Sequence, residues 1–226
     1  MATVTEPVSE QALADQLVTL QDVDWKGYVA LLRIRGERSR PRMIDLDRTV
    51  SLMSPSYSHE TLAGRLGILV REITVELKIP CTPAGSTTFH RRSKRGGVEA
   101  DESLYLANAH RVRGKKTLDM RIDPPPDLTI EAVDSRSAQA ALEVYRPPRV
   151  PEVWIADQTR LAIQILDANN HYHHSAHSLV SPFLSAEEIH AWITRDQDES
   201  GTAWTRALRT WVQGTLKPRA STSANE

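Results

Sequence analysis

Asp127-Leu128-Thr129-Ile130-Glu131-Ala132-Val133 follows three consecutive prolines, Pro124 to Pro126, and alternates with a period of two. That pattern reads as a strand whose approach the prolines stiffen. Leu128 and Ile130 face one side, and Asp127, Thr129 and Glu131 face the other. Further on, Val153-Trp154-Ile155-Ala156 is almost wholly apolar, as in a buried central strand. Between them Ala138 to Tyr145 reads as a short helix broken by Pro147 and Pro148. Strands and helices alternating in this way predict one mixed β-sheet flanked by helices, an α/β fold.

The flanking sequence fits that frame. His59 to Leu77 is the best helix, with Leu62, Leu66, Leu69, Ile73 and Leu77 at helical spacing and Pro80 beyond its end. Upstream, Arg42 to Leu46 and Thr49 to Met53 predict a hairpin turned at Asp47 and Arg48. A short helix is expected over Trp25 to Ile34, and Ser9 is placed to cap another carrying Leu13, Leu17 and Leu20. Thr82 to Phe89 and Val98 to Leu106 read as strands. His90 to Gly97 reads as an exposed basic connection, and Asn108 to Arg121 as a long basic loop. Downstream, a hairpin turns at Asn169 and Asn170, Ser185 caps a helix through Ile193, and Thr202 to Val212 is amphipathic. From Lys217 a frayed tail is expected. The expected organisation is a tail and short helix over 1–24, one domain over 25–195, and a C-terminal helix and tail over 196–226.

Composition narrows the function. The chain has 226 residues, 40% hydrophobic and 25% charged, which suits a single globular domain with a real core. Aromatics at 5% argue against a broad base-stacking platform, and a net charge of −1 against a uniformly basic nucleic-acid binder. The charge is polarised, however. His90 to Arg121 holds nine Lys/Arg and four Asp/Glu, a net +5, leaving −6 for the rest. Such a segment could grip a phosphate backbone or be a solvated loop; it brackets Asp101, which favours the first. Cys81 is the lone cysteine, so there is no internal disulfide; this fits a reducing, cytoplasmic setting and a structural thiol. No apolar run is long enough for a membrane span. The tract of His171, His173, His174 and His177 reads as a surface hairpin strand.

Glu131 carries the chemistry. A lone carboxylate within an apolar strand costs several kcal/mol unless a cation or hydrogen bonds compensate it. A divalent metal shared with Asp101 on the adjacent strand is one solution; an exposed edge position or pairing with an arginine is the commoner one for a strand carboxylate.

Four stretches together resemble a known family. They are Ser54-Pro55-Ser56 leading to His59-Glu60, Val98-Glu99-Ala100-Asp101-Glu102-Ser103, Pro124-Pro125-Pro126-Asp127-Leu128-Thr129-Ile130-Glu131, and Val150-Pro151-Glu152-Val153-Trp154. Their order resembles the Uma-two family of bacterial restriction-endonuclease-like proteins, within the PD-(D/E)xK nuclease superfamily, from about Trp25 to Trp192. The resemblance implies a restriction-endonuclease-like mixed sheet with an added N-terminal hairpin and C-terminal helices. It implies metal-dependent DNA cleavage with Mg²⁺ or Mn²⁺, one or two ions, held by Asp101 and Glu131. Glu60 matches the acid of the first core helix, with His59 orienting it. Arg91, Arg92, Lys94, Arg95, Arg113, Lys115 and Lys116 become the expected DNA contacts. A homodimer with Trp192, Trp204 and Trp211 in its interface is a further expectation. The resemblance also exposes a departure. The family's basic residue falls at Ala141, and residues 138–144 contain no lysine or arginine. Arg136, Arg146 and Arg149 are the nearest substitutes in sequence. Either one of them serves, or catalysis is weak, or the chain is an inactive nuclease-fold module that binds nucleic acid or another partner.

Overall fold

The computed structural model describes residues 15–36, 38, 40–91, 96–132, 141–195 and 199–223. Two sheets organise them. The first has the order β1-β3-β2-β6-β5 and is wholly antiparallel: Gln16–Leu20 (β1), Arg42–Leu46 (β2), Thr49–Ser54 (β3), Thr88–Arg91 (β5) and Gly96–Glu99 (β6). The second has the order β11-β10-β9-β8-β7-β4, built from Thr82–Pro83 (β4), Glu102–Tyr105 (β7), Leu128–Ala132 (β8), Glu152–Ala156 (β9), Leu161–Leu166 (β10) and Tyr172–Ser175 (β11). It is mixed, because β8 and β9 pair in parallel while the other neighbours are antiparallel. These two central strands are buried at every position, as the apolar pattern of 153–156 requires.

Trp25–Arg35 (α1) covers the first sheet, where Tyr28, Met43 and Val50 form a small core. Asp24 caps this helix through the Gly27 amide, and Arg35 reaches Glu99 on β6 with both terminal nitrogens. Tyr57–Glu76 (α2) is the spine of the larger core. Leu62, Leu66, Leu69 and Ile73 meet Leu128, Ile130 and Trp154 there. Ala109–Val112 (α3) is a single turn within the expected loop, and residues 141–145 are helical (α4). Ala186–Thr194 (α5) starts at the Ser185 capping box.

Several expectations are corrected. The leucine spacing near the N-terminus suggested a helix reaching Leu20, but Gln16–Leu20 is a strand zipped to β3; sheet pairing overrides the local periodicity. Ser9 and Leu13 lie outside the described residues. Thr82 to Phe89 is two strands in different sheets, separated by a turn at Gly85, whose φ of 55° suits glycine. Much of the expected basic connection belongs to β5 and β6, with 92–95 outside the described residues. Val98 to Leu106 breaks at Ala100-Asp101, passing from the first sheet to the second. Gly201–Trp211 (α6) continues through a π-turn, Val212–Leu216, into Lys217–Ser223 (α7), so Lys217 opens a helix. Trp204, Leu208, Val212 and Leu216 are buried in the main core. The Trp192 and Trp211 rings lie 4.9 Å apart, tilted by 39°, and Trp204 donates to the Trp192 carbonyl. All three tryptophans thus make contacts within the chain, with Trp192 and Trp204 buried and Trp211 half-buried.

Asp45 is a buried acid of β2, with its carboxyl pushed up to about 6 by burial and then by the neighbouring Asp47. The folded state thus holds this proton more tightly than the unfolded chain does. Stability contributed at low pH is lost as pH rises from the ordinary carboxylate range through about 6. Asp45→Asn is expected to stabilise the protein at pH 8 by about 1 kcal/mol, allowing for solvent screening. Near pH 4 the gain should vanish. Urea denaturation at the two pH values measures it, and an equal effect at both would remove Asp45 as the cause.

Candidate active site

The site forms where the two sheets meet. Asp101 stands at the strand break between them, its backbone amide donating to the Ile130 carbonyl of β8. Its side chain is fully buried. Oδ2 accepts from the Ala132 amide at 2.5 Å, and Oδ1 lies 3.1 Å from His59 Nε2. Glu131, one residue before Ala132, is 3% exposed and accepts from the Tyr145 hydroxyl of α4. The sequence thus places both acids at one end of the β7–β8 pair.

Arg42 is the residue that sequence reasoning missed. On β2 it shares a face with Ile44 and Leu46, which pack against the cluster of Ala100, Ala141 and Tyr145. That face is turned onto the acids. Arg42 Nη1 meets Asp101 Oδ1, and Nη2 donates to Glu60 Oε1 at 3.1 Å. Burial raises the Glu131 carboxyl well above the usual carboxylate range. The Tyr145 hydrogen bond and the Arg42 charge oppose that rise. Burial likewise pushes the Tyr145 hydroxyl far up, and Glu131 adds to it. Among the described residues Glu131 thus has the Tyr145 hydrogen bond, and the Arg42 charge acts on it. The alternation of 42–46 was the available signal, since it groups Arg42 with two apolar residues.

The other expected residues distribute as follows. Glu60 lies on the rim, its side chain 35% exposed and paired with Arg40 and Arg42. His59 faces Asp101 and Asp15 rather than Glu60. Its Nδ1 is 2.9 Å from Asp15 Oδ2, and Asp15 Oδ1 accepts from the Ser56 amide. Burial lowers the His59 pKa and Asp15 pulls it back up. A neutral ring donates to only one of its two carboxylate neighbours. Arg146 turns to Glu143 and Arg149 to Asn170, so neither is directed at the acids; Arg136 lies outside the described residues. Lys115 pairs with Asp123. With Lys116 it lines a shallow pocket beside Thr82 and Tyr105, at the end of β7 remote from Asp101. Arg113 is exposed, Arg91 ends β5, and Arg92, Lys94 and Arg95 lie outside the described residues. Among the described residues no three His, Cys, Asp or Glu form a ready metal cluster, and no helix is long and apolar enough to cross a membrane.

A family model, Uma2, described as "Putative restriction endonuclease", matches residues 25–196. The chain belongs to the Uma2 family. The matched span contains Arg42, Glu60, Asp101 and Glu131, whereas Asp15, the β1 strand that follows it, and α6 lie outside it. The fold is also similar to a crystal structure described as "a putative nuclease belonging to DUF820" from Anabaena variabilis. The TM-score is 0.52 at 12% identity, covering 76% of this chain and 99% of that one. No curated protein matches. The Uma2 chain thus has the mixed sheet and flanking helices of a nuclease fold, with Arg42 set against its buried acids.

Proposed function

We propose that this chain hydrolyses phosphodiester bonds in DNA at Asp101 and Glu131, with Glu60 on the rim, using one or two Mg²⁺ or Mn²⁺ ions. The observation that carries this reading is that two buried carboxylates answer to one cation: Arg42 meets Asp101 and its charge bears on Glu131. Such a donor set fits a hard divalent ion, which takes oxygen ligands and is often held by one or two carboxylates plus substrate phosphate. When bound, that ion supplies an acidified water and neutralises charge on the phosphate.

The chain's own residues do the positioning. The Tyr145 hydroxyl fixes Glu131, the Ala132 amide fixes Asp101, and His59 lies between Asp101 and Asp15. Arg91, Arg92, Lys94, Arg95, Arg113, Lys115 and Lys116 hold the DNA backbone in this reading, and pairing of two chains lets two centres address two strands. The Arg42–Asp101 contact favours a second reading as well. With the guanidinium permanently seated, the fold binds nucleic acid without cutting it.

Purified protein is expected to bind DNA with an affinity that falls steeply with salt. It should nick plasmid slowly in Mn²⁺ and not in EDTA. Salt-dependent binding without any divalent-dependent nicking would select the second reading. Salt-independent binding would remove the basic residues from both.

A further inference from the structure

The guanidinium of Arg42 spans the site from inside to outside. One nitrogen meets the fully buried carboxylate of Asp101. The other, at 3.1 Å, holds Glu60, whose side chain is 35% exposed and also pairs with Arg40 at 3.0 Å. Arg40 is itself 55% exposed, so the outer end of this chain of charges reaches solvent. Arg42 therefore sits between the inner acids and the rim, where a phosphate must arrive. An arginine fork matches carboxylate and phosphate oxygens equally well, and it stays charged at every relevant pH. Ala141 leaves the neighbouring helix without a basic group to do this work.

We propose that Arg42 is a phosphate-binding residue that alternates between two anions: seated on Asp101 it holds the cation position of the acids, and displaced by a divalent ion it turns, tethered at Glu60, to the substrate phosphate. This rests on the metal-dependent reading above. The motion needs no backbone rearrangement, because an arginine side chain carries several rotatable bonds and its rim partner is already solvent-facing. Metal and phosphate then reinforce each other, since a metal ion frees the group that the phosphate requires.

Binding rather than turnover tests this. Calorimetry should show Mn²⁺ binding at least tenfold tighter to Arg42→Gln than to the wild type, because the internal competitor is gone. The Asp101→Asn, Glu131→Gln double variant should bind no Mn²⁺. With Ca²⁺ present, a short duplex oligonucleotide should bind about tenfold more tightly to the wild type than without it, and Arg42→Gln should lose that gain. Equal Mn²⁺ affinity in wild type and Arg42→Gln, with none in the acid variant, overturns the competition and leaves the metal reading standing. A Ca²⁺-dependent gain retained in Arg42→Gln overturns the phosphate role. No Mn²⁺ binding by any of the three proteins overturns the metal reading and this inference together. If Arg42→Gln fails to fold, the wild-type Arg42 Nε–Hε resonance provides the same test. It should move on addition of Mg²⁺ and again with oligonucleotide, and a static resonance overturns the proposal.

Discussion

Asp101→Ala is expected to destabilise the protein by about 3–5 kcal/mol and to reduce cleavage on the order of a thousand-fold or more. The stability loss follows from what Asp101 holds. Its buried carboxylate accepts the Ala132 amide and faces both His59 and Arg42. Deleting it leaves a guanidinium that is only 11% exposed with Glu60, on the rim, as its described carboxylate partner. Removing one member of a buried pair costs more than the pair is worth, because the survivor remains desolvated. The double variant Arg42→Ala, Asp101→Ala should therefore be less destabilised than the sum of the single changes. Urea denaturation measures all three. Additive losses would mean that Arg42 and Asp101 are not coupled. The cleavage loss follows only if Asp101 serves the reaction, so an Asp101→Ala protein that stays folded and nicks plasmid at the wild-type rate would end that role.

Ala141→Lys is expected to raise Mn²⁺-dependent nicking about ten- to a hundredfold while lowering the melting temperature. Ala141 is fully buried and shares a helix stripe with Tyr145, four residues on, whose hydroxyl reaches Glu131. A lysine there projects toward the acids, where one electrostatic stabiliser is typically worth about a hundred- to a thousandfold, of which a side chain placed without supporting contacts recovers part. The stem must also fit a packed cluster with Ala100, Val150 and Val153, which costs about 1–3 kcal/mol. Ala141→Met separates the two effects, having similar bulk and no charge. It should lose stability without gaining rate. Equal rates for the Lys and Met variants would show that charge at this position does nothing.

The parts of the fold that were legible in the sequence are those whose pattern and partner lie close together. The β2–β3 hairpin is one, its turn residues Asp47 and Arg48 both at positive φ. The apolar stripe of α2 is another, and so is the Ser185 cap. Failures came where a distant partner decides. Gln16–Leu20 pairs with residues 50–54, which no local period reveals. Val98 to Leu106 looks continuous because both halves alternate, yet each half satisfies a different sheet. The π-turn after Trp211 keeps Val212 and Leu216 in the core and carries the helix past the point where the amphipathic pattern fades. In the site, strand alternation separates Glu131 from Leu128 and Ile130, and the pairing of β7 with β8 brings Asp101 to the same end of the strands. Arg42 stayed hidden because it arrives from the other sheet, far away in sequence. Its polar character looked ordinary at the start of a hairpin.

The strand break at Ala100-Asp101 has a mechanical consequence. The chain leaves one sheet and enters the other within two residues, so Asp101 sits at the pivot between them. Arg42, carried by the first sheet, closes on that pivot like a clasp. Under the Arg42 proposal, any ligand that opens the clasp also loosens the grip of one sheet on the other. By reciprocity, whatever pins the sheets together must weaken that ligand by the same factor. A restraint that ties the two sheets together away from the acids would then tune their affinity without touching them.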